Sequence, residues 1–311
     1  MTPMSVNLQR AKLLFSAAFQ EGVESLKDSV DITWDKKATK VSMPGTETAV
    51  YGFLAEQPLF KLWQGERTVK TLKTGSYSLA VKDYEFTYKL SRNDVKYDRF
   101  GLLTDHMRGA GRASGRFYED SVNAAQVAGK TQLCFDGQFF YDTDHPYGLD
   151  GSGSTFSNLW TSMAFTAANI KTRYAYMAQL QDANGKRMGI RPNIIEFGPE
   201  YVITFREIFG VDLIALAAST ATSNAGISNV MTQLGLTPVL NNDITDGAWY
   251  MHDTRAMKPF LIQEETAPMG LQMRVDPTDP SVWDNREFLF GSEATAGFGY
   301  TLPHLSVRCE P

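Results

Sequence analysis

Residues 134–146, Cys-Phe-Asp-Gly-Gln-Phe-Phe-Tyr-Asp-Thr-Asp-His-Pro, hold the densest group of chemically able side chains in this 311-residue chain. Asp136, Asp142, Asp144 and His145 combine carboxylates with an imidazole, donors that suit a divalent cation. Their spacing fits no defined metal loop. Pro146 and Gly148 mark an ordinary turn, where short acidic side chains cap backbone N–H groups. Turn chemistry is therefore expected here, with no metal and no cofactor. A metal-dependent hydrolase using Asp142, Asp144 and His145 is a remote alternative.

Other chemical candidates fail on context. Gly129-Lys130-Thr131 is similar to the end of a phosphate-binding loop, but Ala124 stands where that motif needs glycine. The tripeptide also closes a helical pattern instead of opening one. Gly151-Ser152-Gly153 is a flexible tract and not a strained nucleophile elbow. The four histidines, His106, His145, His252 and His304, fall in no catalytic pattern. Cys134 and Cys309 have no Cys or His at ligand spacing and read as free thiols of a reducing compartment. The residues point to a protein with no catalytic site.

The elements must then explain what the chain is for. Hydrophobic residues are 43% of the total, enough for a sizeable core. Net charge is −5, and no basic run occurs, which argues against a surface built to grip nucleic acid phosphates. No apolar stretch reaches the roughly 18 residues of a membrane span. Arg10 and Lys12 before Leu13-Leu14-Phe15-Ser16-Ala17-Ala18-Phe19 mimic a signal peptide. Gln20 and Glu21 follow at once, however, and the stripe continues through Leu14, Ala18 and Val23. The segment reads as an amphipathic helix from Val6 to about Leu26 that needs a partner surface.

Residues 30–55 read as an extended arm. Glu66 to Leu72 can form a strand. Tyr77, Leu79 and Val81, and then Tyr84, Phe86, Tyr88 and Leu90, alternate with polar residues across a Lys82-Asp83 turn. A long charged hairpin buries too little surface to stand alone and calls for a neighbour. A helix from Phe100 to Ala128 follows, with Leu103, Met107, Ala110, Ser114 and Phe117 on one face. Gly101, Gly109, Gly111 and Gly115 would allow another backbone to come close. The spacing further predicts a helix over 162–181 and strands at 194–197, 248–251, 259–264, 286–291 and 298–305. A helix follows Pro199, and a helix end runs into a strand over 230–240.

Several blocks then carry a resemblance. Asn7–Gly22, Tyr51–Gly101, Cys134–Pro146, Asn184–Glu200 and Arg286–Tyr300 resemble, in order, the Mu-like major head subunit family. Gly148–Asn158 and Ala215–Asn229 are the least family-like stretches. The resemblance implies an α+β, Hong Kong 97-type capsid fold: a major capsid protein of a tailed bacteriophage, self-assembling into hexamers and pentamers of an icosahedral head around double-stranded DNA. It implies an N-terminal arm (1–50) and an extended hairpin loop with its base (51–92). A peripheral domain (93–133 and 268–311) with a long spine helix and an axial domain (134–267) would follow. Leu14, Phe15, Phe19, Trp63, Glu66, Arg67, Lys70 and Lys73 become candidates for contact between subunits. The implied partners are further copies, a separate scaffolding protein, a maturation protease, a portal, a decoration protein and non-specifically packaged DNA, with no membrane. The expected location is the virion, after assembly in the host cytoplasm. An encapsulin-like nanocompartment shell of the same fold is the nearest rival.

Overall fold

The computed structural model describes residues 3–26, 29, 32–54, 74–97, 101–147, 154–182, 185–210, 213–215 and 226–311. Helix α1 spans Pro3–Glu24. Strands β1 (Ala38–Ser42), β2 (Thr48–Leu54), β3 (Thr74–Ala80) and β4 (Lys82–Ser91) follow. Next come α2 (Leu102–Gly115) and α3 (Phe117–Ala128), then the short strand β5 (Leu159–Trp160) and α4 (Ala167–Gln179). Strand β6 (Ile194–Phe197) and α5 (Val202–Phe209) lead to β7 (Thr237–Leu240), β8 (Trp249–His252) and β9 (Phe260–Thr266). The chain closes with β10 (Gln272–Arg274), β11 (Glu287–Tyr300) and β12 (Ser306–Cys309).

Two five-stranded sheets organise these elements. In the first, the 14-residue β11 pairs antiparallel with β4 along one edge and with β10 and then β9 along the other, and β1 adds parallel to β9. The second has the order β7-β6-β8-β12-β5, with parallel pairs at both ends. Its central strands β6, β8 and β12 are buried at every position; β6 and β8 are apolar except for Glu196 and His252, and the buried Ser306 and Arg308 of β12 are hydrogen-bonded. α4 and α5 contribute Ile170, Met177 and Phe205 to the core on this sheet. A second core joins Val122 of α3 to Phe140, Tyr250, Phe260 and Tyr300.

Five elements differ from the sequence expectations. Tyr84–Leu90 is a strand, but its partner is β11 and not Tyr77–Val81, because its apolar face covers Phe288 and Phe290. The segment read as an extended arm contains β1 and β2, and β1 is a working edge of the first sheet. The two strands read at 286–291 and 298–305 divide differently: one strand runs unbroken through the small residues Ala294, Ala296 and Gly297, and a second begins at Ser306. The Phe100–Ala128 helix is observed as α2 and α3, which meet at Arg116. Helix 162–181 begins later, at Ala167, where the Thr166 hydroxyl accepts from the Asn169 N–H.

Candidate functional site

Metal-type chemistry among residues 134–146 takes a different shape from the one the spacing suggested. Asp136 and His145 meet, with Nδ1 2.7 Å from Oδ2, and the Cys134 thiol donates to Oδ1 at 2.9 Å. These three groups lie within 4.8 Å of one another, a set that could hold a metal ion. Asp142 instead caps its neighbour, accepting from the Thr143 N–H at 2.7 Å, and Asp144 is exposed. The Asp136 carboxylate also accepts from the Gln138 N–H at 3.1 Å, so the cluster is internally bonded. Burial, followed by the Asp136 charge, pushes the Cys134 thiol well above its usual range, which keeps it a protonated donor.

A larger polar hub, with no signature in residue spacing, lies where α3 meets both sheets. Lys37 and Glu196 form an ion pair at 2.5 Å with side chains 1% and 0% exposed. Lys37 also donates to Asn123 and Gln126 of α3, each at 2.7 Å. Glu196 accepts from Gln126 (2.9 Å), Asn241 (2.6 Å) and the His252 ring (2.9 Å). Next door, Glu119 accepts from the N–H groups of Thr33 and Trp34 and from the Thr33 hydroxyl. Residues 33–37 are thereby tied to α3 and to the second sheet at once. Burial opposes ionisation of Glu196, but the Lys37 charge and the His252 bond outweigh it and hold the carboxyl far below its ordinary value. Burial also pushes His252 down, against the pull of Glu196.

His252 Nδ1 lies 3.0 Å from the Ser306 hydroxyl, so serine, histidine and glutamate stand in the order of a nucleophile, a base and its orienter. All three are sealed in the core, and Glu196 is already committed to Lys37, so no substrate can reach them. The sequence did carry one signal for this hub. Glu196 interrupts the apolar run Ile-Ile-Glu-Phe, and a carboxylate in a buried strand must find a partner.

Two surfaces are built on close backbone approach. β2 and β3 form a two-stranded antiparallel ribbon from Thr48↔Ala80 to Leu54↔Thr74. Its root crosses β11 where a Cβ on Gly297 would collide with the Ala80 carbonyl, and one on Gly299 with Leu79 and the Tyr77 hydroxyl. Leu79 is buried there, whereas Val50 on the same ribbon is exposed. Trp63, Glu66, Arg67, Lys70 and Lys73 lie outside the described residues. The second surface is α1, which packs along α2. A Cβ on Gly22 would strike the Arg108 carbonyl, and one on Gly111 the Phe19 carbonyl. Gly111 thus does what its place in the helix suggested; its partner Gly22 was not singled out.

Phe15 and Phe19, candidates for contact with a neighbour, are buried within this chain, Phe15 edge-on to Phe290 with centroids 5.7 Å apart. Their partner surface is the chain's own α2 and first sheet. Leu14 is 53% exposed and Leu13 73%, so these face outward. No described helix is long and apolar enough to cross a membrane.

A family model described as the Mu-like prophage major head subunit gpT matches residues 8–166 and 238–310. Gly148–Asn158 falls inside that match, whereas Asn184–Glu200 and Ala215–Asn229 fall between its two stretches. The major capsid protein of Escherichia phage Mu is 32% identical over 138 residues, 44% of each chain. The Mu-like prophage FluMu major head subunit of Haemophilus influenzae is 23% identical over 257 residues, 82% of this chain and 59% of that protein. The chain thus spans less than two thirds of either relative. Among solved structures, the procapsid of bacteriophage JBD30 superimposes with a TM-score of 0.54 at 20% identity, covering 100% of this chain and 76% of that one.

Proposed function

Because the chain belongs to the Mu-like prophage major head subunit gpT family and has the α+β, Hong Kong 97-type capsid fold, we propose that it is a shell-forming subunit of a tailed-phage head. The family match over both stretches carries this reading. The geometry supports it through the ribbon: among the described residues β2 and β3 pair only with each other, and an isolated two-stranded ribbon is at best marginally stable in water. A neighbouring subunit would supply the surface that such a ribbon needs. In this reading residues 51–92 hold the extended loop and its base, and residues 1–50 the arm. Residues 93–133 with 268–311 form a peripheral domain, and 134–267 an axial domain at the centre of a hexamer or pentamer.

The contact candidates would be outward-facing Leu14 of α1 and, outside the described residues, Trp63, Glu66, Arg67, Lys70 and Lys73. Exposed ion pairs contribute about 1 kcal/mol or less each, but closed shells repeat every contact many times. The proposed partners are copies of the chain, a scaffolding protein, a maturation protease, a portal, a decoration protein and packaged double-stranded DNA. Assembly in the host cytoplasm would yield the virion shell.

Expression of the chain with and without a phage scaffolding protein, followed by negative-stain microscopy, tests this. Capsomers, tubes or shells are expected. A strictly monomeric protein at high concentration under both conditions would overturn the proposal. Particles filled with a cargo protein would favour a nanocompartment instead.

A further inference from the structure

Two arginines of the second sheet and its helices are buried, and their surroundings contrast. Arg308 is charge-compensated: its Nε donates to Glu310 at 2.7 Å, and its terminal nitrogens reach Asp246 and Tyr250. Arg173 on α4 is only 6% exposed, yet its Nε and Nη1 are buried without any hydrogen-bond partner. Its guanidinium lies 3.8 Å from the Trp160 ring centroid and 5.4 Å from that of Tyr176. The indole N–H of Trp160 is a further buried donor without an acceptor. The Tyr176 hydroxyl accepts from the Ser157 N–H at 3.0 Å, so its own proton remains to be given.

Stacking on two rings accounts for the position of the guanidinium. It does not satisfy the N–H groups, which lie in the plane of the group and need acceptors at its edge. A guanidinium stays charged, so removing it from water without a counter-charge costs several kcal/mol. Burial already pulls its pKa down, with the nearby Cys309 and Tyr176 opposing. Several donors, one fixed positive charge and no acceptor define a ligand of acceptor-only, anionic character. A carboxylate matches the fork of the guanidinium. Trp160 stands on β5, the edge strand of its sheet, where another chain can approach. The chain itself has 35 acidic residues against 30 basic ones, so a second copy offers carboxylates in excess.

We propose that Arg173, with Trp160 and Tyr176, is the receptor for a carboxylate carried by a second copy of this chain. This rests on the shell-forming reading above. The site closes a charge that one copy leaves open, and it does so only on assembly.

The test compares Arg173→Met with the parent in unassembled and assembled fractions. The unassembled variant should unfold at the parent's temperature or above it, because an unpaired buried charge has been removed. Its shells should dissociate at least about tenfold faster, as expected for truncating one partner of a buried charge pair at an interface. If the free chain and the shells weaken together, or if the shells are unaffected, Arg173 is an internal packing residue and the proposal fails. A second measurement adds sodium acetate to the unassembled chain in low salt. The expected result is a saturable rise in unfolding temperature that Arg173→Met abolishes. An equal response in both proteins overturns the anion site. Should the parent form no shells at all, the shell-forming reading and the second-copy source fall, and the acetate comparison alone decides whether Arg173 binds an anion.

Discussion

The hub around Lys37 and Glu196 and the root of the ribbon at Gly297 and Gly299 hold the molecule by opposite means. The hub is sealed and polar, and its members are held by charge and several hydrogen bonds at once. The ribbon root depends on the absence of side chains, which lets one backbone cross another. α1 is attached to α2 in the second way, through Gly22 and Gly111. The contrast separates a frame from its attachments. Charged groups in a core tolerate little displacement, because a broken pair leaves an unpaired charge in a low dielectric. A glycine crossing fixes how closely two backbones approach while imposing no bonded geometry. A subunit that repeats in slightly different surroundings needs both.

The comparison breaks first if the hub can be removed cheaply. Glu196→Leu would leave Lys37 buried and unpaired, and should cost about 3–5 kcal/mol in urea unfolding. A loss below about 1 kcal/mol would show that the hub is not the frame. Next, Gly297→Val should cost roughly 1–3 kcal/mol by overpacking against β3. Its larger effect should be on shell formation, read by sedimentation, with the Lys37–Glu196 pair intact.

A pH titration sharpens the comparison further. His252 is held neutral by burial, and half-buried His304 is pushed down to about 4 by burial and the His145 charge. Their folded-state pKa values lie below the unfolded value near about 6.5, so the unfolded chain takes up protons first. Stability should be full above about pH 6.5 and fall as the pH drops through and below that value. The lowered Glu196 carboxyl adds to the loss only below about pH 4.3, the ordinary carboxylate value. Thermal unfolding across pH 4–8 measures this, and a stability that rises on acidification would contradict the protonation states of the hub. The smallest effect should come from Leu14→Ser. That surface change should alter stability by no more than about 0.5 kcal/mol while reducing assembly.

Much of this was legible before the fold was seen. The alternation at Tyr84–Leu90 marks a true strand, because one face of it is half-buried and the other exposed. Its partner was not legible: period two says that a face is covered, not which of several distant strands covers it. The sequence expectation separates strands 286–291 and 298–305, yet one strand runs through both, and its Gly297 and Gly299 mark the place where the ribbon root crosses it. The stripe through Phe15 and Phe19 correctly demanded a partner, and the chain itself provides it. In the metal-like turn, spacing grouped His145 with Asp136, Asp142 and Asp144. The fold keeps Asp136 beside His145 and adds Cys134, while Asp142 and Asp144 fall outside the cluster, because a local pattern does not measure how the loop folds back.

Electron cryomicroscopy of this chain under assembly conditions tests the proposed shell-forming role most directly. The expected map contains closed shells in which each subunit keeps the Lys37–Glu196 hub and its β2–β3 ribbon lies across an adjacent copy. Isolated subunits, or shells in which the ribbon touches no neighbour, would contradict that role.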